Sequence, residues 1–185
     1  MRKAIVIAFM LFSLAGFAAA QVPTSGNVFV GYSYQTADST ALGISGGNRV
    51  NMNGWQASLE GKLFPALGIV ADFSGHYGSQ IVVSTPPFGF SGNMTGHEFD
   101  VMFGPRVGVS VGKFRPFGEF EIGVGHMNTT DFGSKTSFAT AVGGGLDYKI
   151  VRIAALRLQG DYVSTRFFGT TQNNFRLSTG LVLRF

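Results

Sequence analysis

The sequence predicts an all-β protein: a closed antiparallel eight-stranded transmembrane β-barrel, an up-and-down meander, following a cleaved signal peptide. Three observations lead there. Charged residues make up only 13% of the 185 residues, while aromatics reach 14% and glycine occurs 27 times; soluble domains carry roughly 25% charge. Apolar and polar residues alternate over segments of about ten residues, which is the period of a strand with two unlike faces. The links between these segments alternate long and short, as they do when extracellular loops and periplasmic turns follow one another.

The charge deficit sets the solvent. A soluble domain coats itself with charge, whereas a protein surrounded by hydrocarbon needs charge only where water or protein faces it. The length suits one domain. Residues 1–20 read as a secretory signal: Arg2 and Lys3, an apolar run over 4–17, and Ala18-Ala19-Ala20 before Gln21. The apolar run is short for a membrane anchor, so residues 21–185 form the expected barrel domain. Removing the signal takes two of 14 basic residues, leaving 12 Lys and Arg against 10 Asp and Glu. A near-neutral chain without a basic cluster gives no reason to expect a nucleic-acid partner. The absence of cysteine excludes disulfides and thiolate chemistry.

The elements follow in order. The first alternates Val28, Val30, Tyr32 and Tyr34 with Phe29, Gly31, Ser33 and Gln35. In the second, Trp55, Ala57, Leu59, Gly61 and Leu63 oppose Gln56, Ser58, Glu60 and Lys62. The third sets Ile69, Ala71 and Phe73 against Val70, Asp72, Ser74 and His76, and the fourth sets Phe99, Val101 and Phe103 against Glu98, Asp100, Met102 and Arg106. Phe120, Ile122 and Val124 oppose Arg115, Glu119 and Glu121 in the fifth. In the sixth, Phe138, Val142, Leu146 and Tyr148 oppose Ala139, Ala141, Gly143 and Asp147. The seventh sets Leu156, Leu158 and Tyr162 against Arg157, Gln159 and Asp161. The eighth carries Phe175, Leu177, Thr179, Leu181, Leu183 and Phe185 on one face and Arg176, Ser178, Gly180, Val182 and Arg184 on the other.

This parity sorts the charges. Glu60, Asp72, Glu98, Asp100, Glu119, Glu121, Asp147 and Asp161 fall on the polar face together with Lys62, Arg106, Arg115, Arg157, Arg176 and Arg184; Asp38 and Asp131 are left over and are expected in loops. In a soluble sandwich the apolar face would be the core; in a barrel it meets lipid and the charges pair inside. Aromatic residues at segment ends favour lipid, since girdles belong at membrane interfaces. Tyr34, Trp55, Phe99, Phe138, Tyr162 and Phe175 are expected at one rim, and Phe64, Phe114, Tyr148 and Phe185 at the other. The long links are expected at about 36–51, 78–95, 127–136 and 165–173, and the short ones at 64–66, 112–113 and about 149–152. Pro105 cannot donate to a ladder and a closed barrel has no edge to hide it, so a bulge or the lower rim is expected there.

With Asn53-Gly54-Trp55, Val70-Ala71-Asp72-Phe73-Ser74-Gly75 and the terminal Leu183-Arg184-Phe185, residues 26–185 resemble the eight-stranded outer-membrane β-barrel family that includes the outer membrane protein A barrel and the opacity-like, porin-family surface proteins. The resemblance implies a bacterial outer-membrane location, with outer-membrane lipid and lipopolysaccharide as surroundings. It also implies the barrel-assembly machinery as a partner in biogenesis, with Phe185 as the membrane-assembly signal. A monomer without cofactor is expected.

The leading functional expectation is a non-enzymatic surface protein whose barrel anchors extracellular loops for envelope integrity and adhesion. About eight strands leave a lumen that side chains can fill, which favours a structural charge network over a channel lining. A small porin-like channel is the alternative. Lipid A modification ranks lower: His76 faces in by parity while His97 and His126 face out, and His126-Met127-Asn128 lacks the serine of the deacylases' His-x-Ser pair. The second loop, with Ile81-Val82-Val83 and Pro86-Pro87-Phe88-Gly89-Phe90, is the most apolar and the first choice for a contact patch; the alternative is that strands three and four run on above the membrane.

Overall fold

A computed structural model of the protein describes residues 25–38, 49–83, 91–129, 133–167 and 170–185. The expected signal peptide, Asp131 and the Pro86–Phe90 stretch (86–90) lie outside the described residues.

Eight strands make up the described fold: β1 (Gly26–Asp38), β2 (Arg49–Lys62), β3 (Leu67–Val83), β4 (Ser91–Gly108), β5 (Phe114–Thr129), β6 (Gly133–Lys149), β7 (Ala154–Phe167) and β8 (Thr170–Arg184). They pair antiparallel in chain order, and β1 pairs with both β2 and β8, so the sheet closes into a barrel. Closure is completed at the seam by backbone bonds between Gly26 and Phe185, 2.9 Å from Gly26 N to Phe185 O. In hydrocarbon every backbone donor needs an internal partner, and a closed sheet supplies one without leaving an edge.

Because side chains alternate across a strand, the sequence pattern becomes an inside and an outside. Trp55, Phe99, Phe120, Tyr162 and Leu183 point outward, with Leu183 55% exposed, while Glu60, Asp100, Glu119, Arg157 and Arg176 point into the lumen, with Glu60 and Arg176 at 0%. A surface that is apolar around the whole barrel, over a polar interior, is the reverse of a soluble fold.

The short turns are 63–66, 109–113 and 150–153. Val111 and Phe114 exchange backbone bonds of 2.7 and 3.0 Å around Gly112-Lys113, a two-residue hairpin in which Gly112 takes φ 63°. That left-handed conformation suits glycine and matches the twist of the flanking strands. Gly75 has a different role. Trp55 and Phe99 are its partners on β2 and β4, and their rings close over it, so that a Cβ there would lie 2.8 Å from Trp55 Nε1.

Four expectations change at this level. The strands are longer than the alternation showed, which shortens the long links to 39–48, 84–90, 130–132 and 168–169. Asp38 is accordingly the last residue of β1, opposite Arg49, and not a loop residue. Ile81, Val82 and Val83 belong to β3 and pair with Asn93, Gly92 and Ser91, so the strands do run on; three consecutive apolar residues show no alternation from which the strand could be read. Of the two places expected for Pro105, a bulge and the lower rim, the first is excluded, since Phe103↔Ile122 and Arg106↔Glu119 keep one register on both sides of it; it lies near the lower rim, where β4 ends at Gly108. The β4–β5 ladder lapses only at 104 and 105, while Ile69 still pairs with Pro105 on the β3 side; the missing N–H interrupts the ladder on one edge.

Candidate functional site: the lumen charge network

Inward parity on eight strands brings side chains distant in sequence to the barrel axis. Toward the short-turn end, Glu60 on β2 receives Arg115 from β5 across the bore, with Arg115 Nη1 at 3.1 Å, while Arg106 of β4 lies 3.3 Å from the same carboxylate. Asn27 of β1 donates to it at 2.9 Å. Arg106 also bonds Glu119, its cross-strand partner on β5.

Asp147 on β6 gathers a second group. Arg157 of β7 grips it with two parallel bonds of 2.7 and 3.1 Å, Arg115 lies 3.6 Å away, and Arg184 lies 3.8 Å away. The fork geometry of guanidinium suits such bidentate pairs. The flat faces of the cations are used as well. Phe117 lies between Arg106 and Arg157, with ring centroid 4.7 and 4.5 Å from the two guanidinium carbons, and Phe29 lies 5.1 Å from that of Arg157. Aromatic faces attract cations most strongly where water is excluded.

From Glu119 the chain of contacts climbs the bore. Gln159 donates to Glu119 at 2.6 Å and to Asp161 at 3.0 Å. Arg176 of β8 joins Asp161 at 2.8 Å to Asp72 of β3 at 3.0 Å, and bonds Ser74 at 3.1 Å. Ser74 in turn meets Asp100 at 3.3 Å, and Gln56 donates to Asp72. Nearer the long-loop end, His76 pairs with Ser33 at 2.9 Å, and Gln35 donates to Glu98 at 2.8 Å.

The pairing is less complete than parity suggests. Among the described residues, Arg106, Arg115, Arg157, Arg176 and Arg184 form ion pairs with Glu60, Asp72, Glu119, Asp147 and Asp161. Glu98 and Asp100 have neutral hydrogen-bond partners only, both Glu121 oxygens lack a hydrogen bond, and Lys62 is half-buried at the rim without an ion pair. Alternation fixes which way a side chain points but not which residue meets it across the bore. For the same reason Asn27, Gln159 and Phe117 could not be singled out. Gln159 does lie on the polar face of its segment, but its bridging role depends on reaching past β6, which lies between β7 and β5, to Glu119.

The three histidines do not converge. His76 is buried, whereas His97 packs edge-on against Tyr77 with centroids 5.2 Å apart on the outer surface, and His126 pairs with Thr136 at 2.8 Å.

A closed antiparallel barrel with an apolar exterior and ion pairs across its bore is an eight-stranded barrel of the outer-membrane type. Solved structures share the fold. Neisserial surface protein A superposes with a TM-score of 0.67 at 13% identity, over 86% of this chain and 97% of that one. Ail, the attachment invasion locus protein of Yersinia pestis, in a structure with the heparin analogue sucrose octasulfate, gives 0.55 at 15% identity over 87% and 98%. OprG from Pseudomonas aeruginosa gives 0.53 at 10% identity over 87% and 95%. No family model matches the chain, and no curated protein matches it in sequence.

Proposed function

We propose that this protein is a non-enzymatic surface protein of the bacterial outer membrane, in which a plugged barrel holds four loops outside the cell in support of envelope integrity and adhesion. The observation that carries the reading is the packing of the bore. Arg106, Arg157, Arg176, Phe29 and Met102 are all fully buried although they face the lumen, so no water-sized space adjoins them. A channel needs wetted charges, whereas these serve as cross-links between strands. The loops are then the variable surface on a rigid scaffold. Phe185 as the assembly signal read by the barrel-assembly machinery belongs to the same proposal. Two of the proteins with this fold are named for the cell surface and for attachment; at 13 and 15% identity that likeness extends to the fold, and the filled lumen bears the weight.

The test is conductance of the refolded barrel in planar bilayers. No steady single-channel current is expected. Reproducible, salt-dependent steps of porin size would transfer the lumen charges to a channel lining and overturn the reading.

A further inference from the structure

The end of the barrel that carries the short turns is apolar at its tips. Its turns expose Leu63, Phe64, Val111, Ile150, Val151 and Ile153, and no acidic side chain occurs in any of them. Turns bathed in water are built from Gly, Pro, Asn, Asp and Ser. Apolar tips accompanied by cations have instead the composition of a surface lying at the boundary between headgroups and acyl chains.

Between the 109–113 and 150–153 turns this surface forms an open notch of about 370 Å³, lined by Gly112, Lys113, Lys149, Ile150, Val151 and Arg152. The two turns are tied together by a bond from Lys149 N to Lys113 O of 2.8 Å. Nothing lies within 4 Å of where a Gly112 side chain would begin, which leaves that wall open. Lys113, Lys149 and Arg152 make no ion pair among the described residues. One residue inward from the two lysines, Phe114 and Tyr148 pack together on the outer face, centroids 5.2 Å apart, as aromatic residues do at a membrane interface.

We propose that this notch binds the phosphate headgroup of an anionic phospholipid in the leaflet facing the periplasm. Lys113, Lys149 and Arg152 would hold the phosphate, and Ile150 and Val151 would lie against the first methylenes of the acyl chains. Three unpaired cations select an anion; the apolar lining selects a lipid over a free ion. The proposal rests on the outer-membrane reading given above.

The folded barrel in detergent, examined by native mass spectrometry, supplies the test. It is offered phosphatidylglycerol, phosphatidylcholine with the same chains, inorganic phosphate, or polyglutamate. Wild type should retain phosphatidylglycerol in preference to phosphatidylcholine. The triple variant K113Q/K149Q/R152Q should lose that preference, with affinity falling about fivefold for each cation removed, and K113R/K149R should keep it. Equal retention of the two lipids by wild type, or an undiminished preference in the triple variant, overturns the proposal. Charge-dependent binding of phosphate or polyglutamate without a lipid preference overturns it in favour of a soluble anion. If the triple variant does not fold, the single variants give the same reading. A barrel that fails to insert into vesicles would sink the membrane reading itself, whereas one that inserts and ignores headgroup charge sinks only this inference.

Discussion

Arg176 shows what one lumen residue holds. It bridges Asp72 and Asp161 and bonds Ser74 while fully buried, so removing it strands two carboxylates in a dry interior. Breaking a buried pair from one side costs about 3 to 5 kcal/mol. Arg176→Ala should therefore lower the urea unfolding free energy by about that amount, and a loss below about 1 kcal/mol would mean that water reaches the site. Two glutamates on the same interior face should behave oppositely. Glu60 receives Asn27, Arg106 and Arg115, so Glu60→Gln should cost about 3 kcal/mol. Glu121 is equally buried with neither oxygen hydrogen-bonded. Neutralising it as Glu121→Gln should leave stability unchanged or raise it by about 1 kcal/mol, and parallel unfolding curves of the two variants would decide. Arg157 adds a face contact to its charge, which is why Arg157→Lys, keeping the cation but losing the fork and the flat face over Phe117, should not restore the native stability.

At the scale of elements, the turn at 109–113 and the interruption at Pro105 make separate predictions. Gly112→Ala puts a Cβ on a residue at φ 63°, a conformation that costs an L-residue about 1 to 2 kcal/mol; slower refolding or a lower unfolding midpoint checks it. Pro105→Val would return an N–H to β4 at a position facing lipid. If the lapse in the β4–β5 ladder stems from the missing donor, the variant should gain about 0.5 to 1.5 kcal/mol, and the new amide should resist hydrogen exchange. An unprotected amide would place the cause in Gly104 instead, whose close approach to the Phe120 carbonyl leaves no room for a side chain. Gly75 illustrates why alternation alone undersells a strand: on the pattern it is a gap in the outer face, yet Trp55 and Phe99 cover it from the neighbouring strands.

For the whole molecule, closure is the decisive property. β1 pairs with β8 over Asn27 to Thr36, so the sheet closes on itself. The folded barrel should therefore resist SDS at room temperature and change its gel mobility only after boiling; identical migration of heated and unheated samples would contradict a closed sheet. Ion pairs across the bore, such as Arg115 to Glu60 and Arg176 to Asp72, link strands that are not neighbours in the sheet. They stiffen the cross-section as well as filling it.

The number of strands, their order and the facing of nearly every charged residue were legible in the sequence, because a period of two is a local property and a membrane on one side with protein on the other enforces it along every strand. Partner choice was not legible. That Glu119 meets both Arg106 and Gln159, that Phe117 lies between two guanidinium groups, and that Glu121 is left without a hydrogen bond all depend on the stagger of strands around the closure. That stagger is set jointly by eight pairings and appears in no single segment. The lengths of β3 and β4 were hidden for a related reason: Ile81-Val82-Val83 is a continuous apolar run without alternation, and only its pairing with Ser91-Gly92-Asn93 reveals that the strands continue. The notch at the short-turn end arises in the same way, from the 109–113 and 150–153 turns, which are distant in the chain and which the tertiary structure alone brings together.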